Sequence, residues 1–193
     1  MTRIGAWMAG GGKSRTPHPD HWYATEPPAT VALCRTWRPV SRDVHEAAAG
    51  DGSMAQVLTA QGLRVRSSDL RDRGYAQSVA GTDFFALDAA WAPALITNPP
   101  YKHATRWIWH AFAIGYRQMA LLLPLNFWCA AGRLPLWDAH RPSLLAPLTW
   151  RLDPEGLGSP VMSSMWVIWD SPCAPHEPTT RLLPHPYKPR AAT

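Results

Sequence analysis

The sequence predicts an α/β fold, a doubly wound and mostly parallel sheet closed by an antiparallel hairpin. Three observations predict it. Short apolar runs alternate with segments of helical period along most of the chain. One run, residues 118–123, is apolar after its first residue, as a strand covered on both faces should be. The last two strand-like runs, 149–152 and 165–169, have no helical pattern between them, so they should pair as a hairpin.

Bulk properties agree with one domain. The 193 residues suffice for a substantial core, and 46% hydrophobic with 17% charged residues describes a globular chain. The net charge of +5 and isoelectric point near 9.4 suit a polyanionic partner, and equally a soluble protein without one. Three cysteines without a Cys-x-x-Cys pair suggest neither a disulfide framework nor a zinc site, so a reducing cytoplasm is expected. The histidines show no metal-ligand spacing, so no metal is expected. No apolar run approaches the ~18 residues of a membrane span, and no export signal is visible.

Residues 1–19 read as a flexible arm. Their Gly10-Gly11-Gly12-Lys13-Ser14 is not a phosphate loop, because the required earlier glycine is Trp7. The predicted domain is 20–170. Its first helix spans 28–37, with Thr25 as a possible cap, prolines in the first turn and Pro39 after its end. A buried strand follows at 43–47, then a helix over 53–61 with Met54, Val57 and Leu58 on one face and Gly62 as its stop. Residues 63–67 make a second strand ending at Asp69, and 71–81 read as a short helix plus loop. A third strand end falls at 82–85, a fourth strand at 94–97, and a helix over 102–115 with Ala104, Trp107, Ile108 and Ala111 at helical spacing. Residues 126–139 are partly helical, interrupted at Pro135. The hairpin loop is 153–164, and six prolines in 171–193 predict a tail without elements.

Chemistry concentrates at strand ends. Thr97-Asn98-Pro99-Pro100-Tyr101 ends the fourth strand. Two consecutive prolines donate no backbone hydrogen bonds and fix φ, so the strand stops in a rigid turn. That turn brings an amide, a carbonyl and an aromatic ring to one small space, which suits an amino group on a planar ring. Earlier, Glu46-Ala47-Ala48-Ala49-Gly50-Asp51-Gly52-Ser53 joins a strand to a helix N-terminus, where glycines permit close approach and N–H groups face an anion. Asp69 lies 23 residues after Glu46, where a Rossmann-like site puts its ribose acceptor.

Asn98-Pro99-Pro100-Tyr101 resembles the catalytic motif of AdoMet-dependent amino-methyltransferases, best known in DNA adenine-N6 methyltransferases. Glu46, Gly50 and Gly52 are similar to the AdoMet loop of class I methyltransferases, although Ala47 stands where the family often has proline. Tyr23 and Thr25 resemble an N-terminal motif that packs on the methionine end of the cofactor, with the proline displaced by one. The resemblance spans about residues 23–123, its motifs in the family's order. It implies a Rossmann-like, mostly parallel seven-stranded sheet with a C-terminal antiparallel hairpin. It also implies S-adenosyl-L-methionine as cofactor, with Asp69 on the ribose and with Asp83 and Phe84 at the adenine. Asn98, Pro99, Pro100 and Tyr101 would form the catalytic turn.

The implied substrate is adenine N6 in DNA, within a bacterial or phage modification system. Alternatives in the same class are protein glutamine and ribosomal RNA; one outside it is a non-catalytic AdoMet-fold nucleic-acid-binding subunit. Lys102, Arg106 and Arg117 are candidate phosphate contacts or solvated helix residues. No separate target-recognition segment is legible in the sequence.

Overall fold

The structure is a computed structural model and describes residues 24–153, 160 and 162–188. The predicted arm, Tyr23 and most of the 153–164 loop lie outside the described residues. Among the described residues four α-helices and eight strands follow in chain order. They are α1 (Pro27–Thr36), β1 (Asp43–Glu46), α2 (Ser53–Ala60), β2 (Arg64–Asp69), β3 (Ser78–Ala80), β4 (Ala94–Thr97), α3 (Ala104–Ala113), β5 (Gln118–Pro124), α4 (Leu134–Ala139), β6 (Leu144–Leu152), β7 (Met162–Trp169) and β8 (Thr179–Thr180).

The strands form one sheet in the order β3-β2-β1-β4-β5-β7-β6-β8. β1 to β5 are mutually parallel, β7 runs antiparallel between β5 and β6, and β8 lies parallel to β6. The order reverses between β1 and β4, so the chain leaves these neighbouring strands toward opposite faces. A crevice opens at their carboxyl ends, where open α/β sheets bind ligands.

Alternation along the central strands divides the core into two layers. Ile96, Ala120, Leu122, Trp166 and Ile168 point to the face covered by α1 and α2, where they meet Leu33, Met54 and Leu58. Leu95, Leu121, Leu123, Val167 and Trp169 point to the α3 face, with Trp107 and Ile108. Met119 to Leu123 are all fully buried, which explains the unbroken apolar run. Each such large side chain contributes about 1.5–3 kcal/mol of transfer free energy.

One polar cluster crosses this core. His45 of β1 is fully buried between Tyr116 and Ser68. The Tyr116 hydroxyl accepts from the Trp91 N–H at 3.2 Å, so its own proton is available to His45 Nδ1. His45 Nε2 is hydrogen-bonded with Ser68 Oγ at 2.9 Å. Burial, with Arg66 nearby, pushes the His45 imidazole down to about 3, and burial pushes the Tyr116 phenol up to about 12. His45 is therefore a neutral structural residue.

The structure corrects the sequence reading in several places. The sheet has eight strands, not seven. The third strand is Ser78–Ala80, within the segment expected to hold a helix, whereas 84–86 form a 3-10 turn capped by Asp83. β3 is a short exposed edge strand, Val79 being 50% exposed, so it carries no apolar alternation to read. Pro135 opens α4 instead of interrupting a helix, because proline is well suited to a first turn. The proline-rich end is not free of elements: β8 pairs with β6, Leu183 bridges Leu148, and Leu183 is buried.

Thr25 does not cap α1. Glu26 occupies that position, without a side-chain cap bond. Pro27 and Pro28 have no N–H to satisfy, and the Ala29 N–H donates to the Glu26 carbonyl at 3.0 Å. The Thr25 hydroxyl is thereby left for another partner.

Candidate active site

At the β1/β4 crevice lies a cavity of about 460 Å³. Its walls come from segments that leave the carboxyl ends of the sheet. Ala47 and Ala48 follow β1, Asp69 ends β2, Asp83, Phe84 and Phe85 form the turn before β4, and Asn98, Pro99, Pro100 and Tyr101 follow β4. Four distant segments thus meet because parallel strands present their ends on one edge of the sheet.

The turn after β4 is built as its prolines require. Pro99 is buried, and the Pro100 carbonyl accepts from the His103 N–H at 2.9 Å, which starts the short 3-10 turn leading into α3. Asn98 Nδ2 donates to Thr25 Oγ1 at 3.1 Å. Asn98 Oδ1 is buried and accepts no hydrogen bond from the described residues. A buried acceptor left in this state costs about 1–3 kcal/mol. Asn98 itself lines the cavity.

Asp69 is 6% exposed, lines the cavity, and binds backbone N–H groups through both of its oxygens. Oδ2 accepts from the Gly50 N–H and Oδ1 from the Arg71 N–H, both at 2.9 Å, with Arg73 Nε 3.7 Å from Oδ1. Each carboxylate oxygen has a second lone pair, so Asp69 retains capacity toward a ligand hydroxyl. Asp83 is exposed and accepts from the Phe85 N–H at 2.9 Å. Phe84 stacks on Trp107 at 3.9 Å and 9°, which makes it largely a core residue. Phe85 is less buried and carries the Arg106 guanidinium on its face at 3.8 Å.

The glycine loop departs from expectation. Ala47 and Ala48 line the cavity; Gly50 and Gly52 do not. Gly52 has φ +82, and a Cβ there would stand 2.3 Å from the Tyr75 ring, so this glycine makes room for a side chain of its own protein. Glu46 lies beneath the wall, 1% exposed, with Oε2 unpartnered among the described residues. Burial, reinforced by the charges of Asp69 and Asp51, raises its carboxyl to about 8. Glu46 is therefore mostly protonated at neutral pH.

Of the residues singled out from the sequence, Asp69, Asp83, Phe84, Asn98, Pro99, Pro100 and Tyr101 meet in the cavity wall. Glu46, Gly50, Gly52 and Thr25 do not line it, and Tyr23 lies outside the described residues. Phe85 and His103 are wall residues that the sequence reading did not single out as ligand-facing. The second ring after Asp83 was the only signal for Phe85, and His103 gave none. Lys102, His103 and Arg106 form a basic rim beside Tyr101, whereas Arg117 lies away from the cavity.

No protein-family model matches the chain, and no curated protein matches it. Solved structures do. A modification subunit assigned to a type I restriction enzyme from Vibrio vulnificus YJ016 aligns with TM-score 0.60 at 10% identity, over 83% of this chain and 47% of that one. A protein assigned as a class I S-adenosylmethionine-dependent methyltransferase from Listeria monocytogenes aligns with TM-score 0.59 at 11% identity, over 86% and 67%. The 23S rRNA methyltransferase ErmE aligns with TM-score 0.53 at 15% identity, over 81% and 71%. The chain spans about half the length of the restriction-enzyme subunit. These likenesses show a Rossmann-like class I methyltransferase fold. Among the described residues no helix is long and apolar enough to cross a membrane.

Proposed function

We propose that this chain is an AdoMet-dependent N-methyltransferase whose acceptor is an exocyclic amino group, with adenine N6 in DNA as the leading substrate. The observation that carries the reading is the state of Asn98. Its amide nitrogen is held by Thr25, and its oxygen is buried without a partner on a residue that lines the cavity.

The residues present suit the cofactor. Asp69 has spare acceptor capacity for a ribose hydroxyl, Asp83 is an acceptor at the mouth, and Phe84 and Phe85 line the same wall. The small side chains of Ala47 and Ala48 leave room beside β1. Bound AdoMet supplies an electrophilic methyl group on a sulfonium. The protein's own part is positioning. Asn98 Oδ1 and the Pro99 carbonyl accept the two hydrogens of the amine and draw its lone pair out of conjugation with the ring. Fixed dipoles of this kind stabilise a transition state without strong general-base chemistry. Tyr101 stacks on a base turned out of its duplex.

Lys102, His103 and Arg106 on the cavity rim support a nucleic-acid acceptor over a protein side chain, since phosphates flank every base. The test is product identification. The purified protein is incubated with labelled AdoMet and DNA, RNA or protein separately, and the digests are analysed. N6-methyladenine in DNA is the expected product. N5-methylglutamine or methylated RNA alone would overturn the substrate assignment, and AdoMet binding without transfer to any acceptor would overturn the enzyme assignment.

A further inference from the structure

The resemblance puts Thr25 on the cofactor, but the structure gives its hydroxyl a different neighbour. Thr25 is 6% exposed, stands just before α1, and accepts from Asn98 Nδ2 at 3.1 Å across 73 residues of sequence. We infer that Thr25 is a positioning residue, which turns the Asn98 amide so that its oxygen, and not its nitrogen, is the group left for the acceptor amine. The inference rests on the reading of Asn98 given above.

The choice matters because an asparagine amide has two orientations related by rotation about its last side-chain bond. One offers an acceptor to the cavity, the other two donors. An amino acceptor must find the oxygen; the flipped amide would set N–H against N–H. In the structure the nitrogen is the atom bonded to Thr25 and Oδ1 is the unpartnered one; a hydroxyl can accept or donate, so Thr25 sustains this orientation only while its own proton is turned away from Asn98.

Thr25 is itself held in place by the C-terminal strands of the sheet. The neighbouring Glu26 carboxylate accepts from the Asp153 N–H at the end of β6. Three residues on, the Ala29 carbonyl accepts from Trp166 Nε1 of β7 at 3.0 Å. The C-terminal hairpin therefore anchors the start of α1, and the start of α1 orients the residue after β4. Removal of the Pro27 and Pro28 N–H groups from the helix end frees Thr25 for this role.

The test compares Thr25→Val, which keeps shape and loses the hydroxyl, with Thr25→Ser, which keeps the hydroxyl. Valine should lower kcat about tenfold, the size of one neutral hydrogen bond, and leave AdoMet affinity unchanged. Serine should restore kcat. A double-mutant cycle separates positioning from general stability: in an Asn98→Ala background, Thr25→Val should cost nothing further in kcat. Weakened AdoMet binding with unchanged kcat would make Thr25 a cofactor contact and overturn the inference, as would an additive cycle. The side-chain amide of Asn98 is also followed by ¹⁵N NMR. One of its protons should be shifted downfield and slow to exchange in wild type and Thr25→Ser, and should lose both features in Thr25→Val. Absence of that signature in wild type overturns the inference. Its presence in a protein that transfers no methyl group to any acceptor leaves the orientation standing and refutes the functional reading.

Discussion

The Asp69 carboxylate accepts a hydrogen bond from the Gly50 N–H at 2.9 Å, tying the end of β2 to the loop that follows β1. The acid expected to serve a ribose also closes the loop expected to serve the cofactor. Asp69→Ala should therefore have two effects. It leaves the buried Gly50 N–H without an acceptor, which should lower unfolding stability by about 1–3 kcal/mol in denaturant titrations. It should also weaken AdoMet in calorimetric titrations, at about 1.5–3 kcal/mol for a hydrogen bond to a charged group, with less effect on turnover at saturation. Unchanged AdoMet affinity with reduced stability would assign Asp69 to the loop alone.

Asn98→Ala should remove the preorganised acceptor without touching the cofactor. Methyl transfer under single-turnover conditions should fall roughly 10²-fold or more. AdoMet affinity should stay near wild type. A variant with nearly full turnover would end the catalytic assignment.

Gly52→Ala should destabilise the fold for two separable reasons. At φ +82 a side chain is strained, and the new Cβ meets the Tyr75 ring at 2.3 Å. The conformational part is about 1–2 kcal/mol. Combining the change with Tyr75→Ala should relieve the clash and keep the conformational cost, which thermal melts of the single and double variants would resolve.

The neighbours His45 and Glu46 should give stability opposite dependences on pH. The folded pKa of His45 is depressed from 6.5 to about 3, so its contribution is complete above 6.5 and is lost as pH falls through that window. The folded pKa of Glu46 is raised from 4.5 to about 8, so its contribution is complete below 4.5 and is lost as pH rises toward 8. Between 4.5 and 6.5 the two slopes oppose, each at most about 1.4 kcal/mol per pH unit. Glu46→Gln should remove the alkaline loss, so that its stability relative to wild type grows from pH 4.5 to 8 and then levels. A difference independent of pH would show that Glu46 ionises in the fold as it does when unfolded.

Lys102 and Arg106 should contribute to DNA affinity through phosphates. Replacing either by Ala should weaken binding similarly across sequences and reduce the slope of log affinity against log salt by about 1. Fluorescence anisotropy at several salt concentrations measures this. An unchanged slope would return both side chains to the solvated surface.

The sequence by itself determined the features whose causes are local. The apolar run Ala94-Leu95-Ile96, with Pro99 and Pro100 close behind it, dictated a strand and its stop, because proline's geometry needs no partner elsewhere. Asp69 and Asn98 were legible as neighbours on one cavity wall because parallel strands deliver their carboxyl ends to a common edge. Tertiary structure alone decided what depends on distant partners. β3 and β8 exist through pairing with β2 and β6, not through any pattern of their own. Gly52 faces Tyr75, Phe84 rests on Trp107, and Asp69 spends a lone pair on Gly50. Above all, Thr25 holds Asn98 across 73 residues. Periodicity and turn chemistry encode where a backbone runs and stops, whereas the direction of a single amide depends on which hydroxyl the packed core brings beside it.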